Sequence, residues 1–90
     1  MSERRLKLVL FRAWSMAKLH EIESKLKQKH PDRVDQITVV IDMLSNKIYY
    51  LNKHSLADYI YTLKTLSKTF PELEELIPDA ETVRQLYDEG

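Results

Sequence analysis

Residues 34–51 read VDQITVVIDMLSNKIYYL, and the fold turns on how this stretch is read. Val34, Ile37, Ile41, Leu44, Ile48 and Leu51 recur at spacings of three, four, three, four and three. That is the heptad seam of a helix with one buried face. Val39, Val40, Met43 and Tyr50 widen the apolar arc. The β-branched run makes a strand over residues 37–41 the main alternative. A strand would alternate with period two, and the three-four repeat continues unbroken for 18 residues. The seam therefore predicts a helix of five turns, beginning at Asp32 behind Pro31, with Asp35 near the positive end of its dipole.

Outward from this helix the rest of the chain reads the same way. Upstream, no Pro or Gly interrupts the sequence until His30-Pro31, so a first helix is expected from about Ser2, its N-cap, to Lys29. Ten of residues 6–19 are apolar. On a helical wheel Leu6, Val9, Leu10, Ala13, Met16 and Ala17 form one broad face. Leu8 and Leu19 form a second, which Ile22 and Leu26 continue. Neighbours are accordingly expected on two sides of the helix in its first half.

Downstream, Asn52-Lys53-His54 reads as a turn. Ser55 and Asp58 resemble a capping box that opens a third helix. Leu56, Tyr59, Leu63, Leu66 and Phe70 give it a second three-four seam. Residues 72–77, between Pro71 and Pro78, read as a short helical turn. Asp79 caps a last helix that ends near Asp88, with Val83, Leu86 and Tyr87 as its apolar stripe. Short connections make neighbours antiparallel. The expected fold is all-α: one domain over residues 1–90, an antiparallel four-helix bundle with a long N-terminal helix. Ile41 and Leu44 should sit at the centre of its core.

Composition excludes more functions than it proposes. The chain has no cysteine, which removes disulfides and thiolate metal sites. Its one glycine is Gly90, so no Gly-rich phosphate loop can form. Leu8-Val9-Leu10-Phe11 is cut short by Arg12 and is too brief for a membrane span or a signal peptide, and a cytoplasmic protein is expected. No histidine pairs with another ligand at metal-binding spacing. His20 is expected to be a partly buried structural histidine, and His30 and His54 to be exposed in turns. No nucleophile motif surrounds any serine, and the chain is expected not to be an enzyme. Tyr49, Tyr50, Tyr59 and Tyr61 cluster around the second turn and are read as core and rim packing rather than a ligand pocket.

Charge supplies the clearest signal beyond the fold. Residues 1–68 hold 13 Lys/Arg and 7 Asp/Glu, a net +6, whereas residues 69–90 hold one Arg and 7 acids, a net −6. In the acidic part Glu72, Glu75, Asp79 and Glu81 offer oxygen ligands of the kind calcium accepts. A low-affinity calcium site there is the sharpest form of the leading expectation, a non-enzymatic binding or interaction domain that requires no cofactor. Phe11 and Trp14, near the charged side of the first helix, are its candidate partner interface, for a weak homodimer or another protein. The alternative is a nucleic-acid-associated protein that uses the basic first helix, from Arg4 to Lys29, along phosphates.

The run Phe70-Pro-Glu-Leu-Glu-Glu-Leu-Ile-Pro78, following three capped helices, resembles small uncharacterised helical-bundle proteins of thermophilic archaea. The scarcity of Asn and Gln, five in all, points to the same kind of source. The resemblance implies a helical bundle and cation binding through the acidic end. It carries over no functional residue.

Overall fold

The computed structural model describes residues 3–88, with the side chains of residues 6–88. These residues form four α-helices and two 3-10 turns, with no strand among them. Helix α1 spans Glu3–Lys29, α2 Val34–Tyr49, α3 Leu56–Leu66 and α4 Ala80–Asp88. The 3-10 turns are Pro31–Arg33, leading into α2, and Pro71–Leu76, between α3 and α4. The expected cap at Ser2 lies outside the described residues. The molecule measures 44 × 22 × 17 Å. At a rise of 1.5 Å per residue α1 is about 40 Å long, so it runs nearly the whole length of the fold.

The seam of α2 works as its spacing predicts from Ile37 onward. Ile37, Ile41, Leu44 and Ile48 are buried, and Leu51 closes the line beyond the helix end. Val34, the first member, is exposed. Pro31 makes residues 31–33 a 3-10 turn, and α2 begins only after it, at the edge of the core. Helix α3 buries Leu56, Tyr59 and Leu63, and Phe70 follows beyond its end.

The junction between α2 and α3 differs from the expected capping box. The Ser55 side chain makes no cap bond to α3. Asn52 builds an Asx turn instead: its Oδ1 accepts from the backbone N–H of His54 at 2.8 Å and of Ser55 at 3.1 Å. Ser55 Oγ turns back and accepts from the N–H of Asn52 at 3.1 Å. Asp58, freed from capping, receives the Lys47 ammonium at 2.8 Å and links α3 to α2. The αα corner is thus held by two polar devices, one local and one between helices.

Helix α1 packs against α2, against both 3-10 turns and against α4. The Pro71–Leu76 turn touches α1 on one side and α3 on the other, and its Leu73 and Leu76 are buried. This turn, rather than the last helix, fills the space left beside the first three helices. A two-proline segment suits the task. Pro71 starts a 3-10 turn where no donor is needed, and Pro78 stops it before Asp79 caps α4. The Thr82 N–H donates to Asp79 Oδ1 at 2.7 Å, as the sequence predicts.

Candidate functional site

Helix α1 carries two apolar lines. The inward line is Phe11, Leu19, Ile22 and Leu26, with Ser15 between the first two and Leu8 packed beside it. The other line is Leu6, Leu10, Ala13, Trp14 and Ala17. At about 100° per residue it is centred roughly opposite the first. It faces water: Leu6 is 46% exposed, Leu10 58% and Trp14 48%, and Ala13 and Ala17 are exposed as well. This corrects the expected packing of α1 between neighbours on two sides. The face that looks broadest on the wheel is uncovered, and only its margin, Val9 and Met16, is half-buried. Beyond Ala17 the same outward face turns polar, with His20, Glu21, Ser24 and Gln28.

Trp14 and Phe11 divide the roles expected of them as a pair. Phe11 is 9% exposed and belongs to the core. Its ring stacks on Trp14 with centroids 6.2 Å apart and planes 30° from parallel. One face of the indole is therefore anchored on a core side chain while the rest of it remains accessible. A ring held this way loses little rotamer freedom when a partner covers it, which lowers the cost of binding.

A shallow groove borders the stripe where α1 meets α2, lined by Arg12, Ala13, Met16, Ile48 and Tyr49. Arg12 Nη1 donates to the Tyr49 carbonyl at 3.3 Å, satisfying a carbonyl at the C-terminus of α2. The Met16 sulfur accepts from Ser45 Oγ at 3.4 Å. No local pattern in the chain marks this groove, because Arg12 and Met16 meet Tyr49 only through tertiary packing. Three of the four clustered tyrosines, Tyr49, Tyr50 and Tyr61, are exposed, and Tyr59 alone is core.

Tyr59 reaches from α3 toward Ser15 of α1, and both residues are buried. Burial pushes the Tyr59 phenol up to about 12, with the Ser15 hydroxyl acting weakly against it. Neither hydroxyl makes a well-formed hydrogen bond among the described residues. The pair is a polar flaw in an otherwise apolar core, close to the level at which the outward apolar line of α1 ends.

The acidic segment is spread over several contacts. Glu72 Oε2 accepts from Lys29 at 3.2 Å, and Glu75 lies 3.9 Å from Lys18. Asp79 caps α4, and Glu81 pairs with Arg84 at 2.6 Å. The Glu72 carboxyl is held below its ordinary value first by its own backbone N–H and then by Lys29, against the opposing effect of burial. Asp79 is lowered by the Thr82 N–H and hydroxyl. Among the described residues no group of three or more histidines, aspartates or glutamates is arranged to hold a metal ion.

Of the histidines, His20 is exposed rather than partly buried and lies 3.5 Å from Glu23. His30 is half-buried, edge-on to Phe70 at 6.0 Å, and His54 is exposed. Among the described residues no helix is long and apolar enough to cross a membrane. No protein-family model, curated protein or solved structure matches the chain.

Proposed function

We propose that this chain is a non-enzymatic interaction domain that docks a protein surface along the outward face of α1, from Leu6 to Ala17. The observation that carries the reading is the concentration of exposed apolar side chains on that face, ending where His20 and Glu21 begin. Scattered surface leucines are ordinary, but a contiguous apolar stripe on a folded monomer marks an interface. The anchored Trp14 ring is the side-chain type that dominates such interfaces. We also read the helices as an antiparallel bundle, a reading supported by the short connections and by the packing of α1 on α2.

The test uses an amphipathic helical peptide with a leucine stripe and acidic flanks. Added to isotope-labelled protein at low micromolar concentration, it should shift the amides of residues 6–17 and quench or blue-shift Trp14. Shifts spread over the whole surface, or none at millimolar peptide, would remove the reading.

Calcium binding at Glu72, Glu75, Asp79 and Glu81 is a separate proposal with its own cost. A cation gathering these carboxylates would have to displace Lys29 from Glu72, Lys18 from Glu75 and Arg84 from Glu81, and would uncap α4. A calcium titration read at residues 72–81, against sodium chloride of equal ionic strength, decides it.

A further inference from the structure

Which protein surface suits the outward face of α1 can be read from the charges on its flank. Lys7, Trp14 and Glu21 are seven residues apart in sequence. Seven residues are almost two whole turns, so the three side chains project along one line at the edge of the apolar stripe. All three are exposed. A cation thus stands two turns before the tryptophan and an anion two turns after it.

We infer that the outward face of α1 docks a second copy of this chain, with the two α1 helices antiparallel about a dyad at Trp14. This rests on the docking reading above and names its occupant. A two-fold axis across an antiparallel helix pair maps each helix onto the other in reverse and keeps each flank on its own side. With the dyad at Trp14, Lys7 of one copy meets Glu21 of the other, and the reciprocal pair forms at the far end. The two Trp14 rings meet in the middle. Leu10 falls within about one residue's rise of Ala17 of the second copy, large beside small. Exposed Ala13 and Ala17 let the two backbones draw near.

The charge pattern selects this orientation. The N-terminal half of α1 carries Arg4, Arg5, Lys7 and Arg12 against a single acid, Glu3. A parallel pair in register would set Lys7 against Lys7 and Glu21 against Glu21. The antiparallel pair brings Lys7 to Glu21 instead, whereas Glu23, half-buried and bound to Lys27, lies off the outward face. The contact runs from residue 7 to residue 21, about 21 Å at helical rise. One helix face of that length covers less than the roughly 800 Å² per partner of a standard stable interface, so the dimer is weak and reversible.

Charge reversal tests the pairing. Lys7→Glu and Glu21→Lys each turn two attractive pairs repulsive, and each should weaken dimerisation in sedimentation equilibrium roughly tenfold at low salt. The double variant restores both pairs with the charges exchanged and should return to within about twofold of the parent. The cysteine-free chain offers an independent geometric check. Lys7→Cys and Glu21→Cys proteins should form a disulfide dimer when mixed, and neither should do so alone. Thermal melts should match the parent throughout, since both residues are exposed.

A parent that stays monomeric to millimolar concentration overturns the inference. So does a double variant no better than the singles, or a Lys7→Cys protein that cross-links to itself. If the parent is monomeric but the amphipathic peptide still seats on residues 6–17, the self-pairing falls and the docking reading stands. If the chain dimerises while the peptide leaves residues 6–17 unmoved and Leu10→Glu leaves the dimer intact, both fall.

Discussion

The two halves of α1 belong to one unbroken helix and live in different surroundings. From Leu19 to Lys29 apolar side chains point only inward: Leu19, Ile22 and Leu26 are fully buried, and the outward positions are polar or charged. From Leu6 to Ala17 both sides are apolar. The second half is also tied down by charge. Lys18 and Lys29 reach Glu75 and Glu72 on the Pro71–Leu76 turn, and Lys27 binds Glu23 at 2.8 Å. In the first half Arg12 bonds the Tyr49 carbonyl and Met16 accepts from Ser45, and neither contact is an ion pair. One half of the helix is built to be part of a core. The other has apolar surface that this core does not use.

Truncation should show the contrast most strongly. Leu19→Ala or Ile22→Ala removes side chains with no exposure and should cost about 2–5 kcal/mol in urea denaturation. Ile41→Ala and Leu44→Ala, on the facing seam of α2, should cost as much. Leu10→Ala, the same chemical change as Leu19→Ala nine residues earlier, should cost a small fraction of that. If Leu10→Ala and Leu19→Ala were equally destabilising, the outward stripe would be core, and the two halves would not differ.

Acid should loosen the second half first. Glu23 is held below its ordinary value by Lys27 above all, and Glu72 by its own N–H and by Lys29. Both carboxyls bind protons less readily folded than unfolded, so the unfolded chain takes up protons first as pH falls. Their contribution is complete above about pH 4.5, the ordinary value of both, and is lost as pH drops through the lower folded values. The urea midpoint should decline below pH 4.5, and hydrogen exchange should quicken around residues 23–29 and 71–76 before residues 37–48. A midpoint flat from pH 7 to 3 would mean that these ion pairs hold nothing together.

Most of this architecture is legible in the sequence, for a physical reason. Each seam of α2 and α3 is written locally, since three-four spacing and burial of one face are the same fact at two levels. The Asp79 cap and the proline-bounded turn before it are equally local. What could not be read is which of two apolar faces on α1 becomes the inside. Leu6, Val9, Leu10, Ala13, Met16 and Ala17 outnumber Leu8 and Phe11 in the first half, and counting favours the wrong side. The choice is made by continuity. Ile22 and Leu26 have no apolar counterpart on the opposite face, so a straight helix must keep the Leu8–Leu19 side inward along its whole length. His20 goes outward with the rest of that opposite face. The groove at Arg12, Met16 and Tyr49 is a product of tertiary packing and leaves no local trace. For the acidic segment, composition gave the carboxylates but not their counter-ions, which come from Lys18 and Lys29 about 40 to 60 residues upstream.

A smaller effect is expected where the two halves join. Ser15 and Tyr59 bury hydroxyls without well-formed hydrogen bonds, and an unmet polar group in an apolar core is destabilising. Removing both through Ser15→Ala with Tyr59→Phe replaces them by apolar groups of similar shape. The double variant should be as stable as the parent or up to about 1 kcal/mol more stable. A marked loss would show that the two hydroxyls support each other and that the junction is a polar clasp.

The smallest change in stability should come with the largest change in behaviour. Leu10→Gln keeps the length of the side chain, suits a helix and adds no buried polar group, because the position is exposed in the monomer. Its effect on the urea midpoint of dilute protein should lie within about 0.5 kcal/mol. Its effect on association should be far greater, since Leu10 stands near the centre of the outward stripe. Trp14, the chain's one tryptophan, reports on that stripe directly. In the parent its emission should shift to the blue as concentration rises from micromolar to millimolar, when the exposed part of the ring is covered. In Leu10→Gln the emission should stay where dilute protein has it. A midpoint shifted by several kcal/mol would place Leu10 in the core after all, and an emission independent of concentration in the parent would show that Trp14 stays wet at every concentration. Unchanged stability with lost association is the signature of a helix that folds with one side and binds with the other.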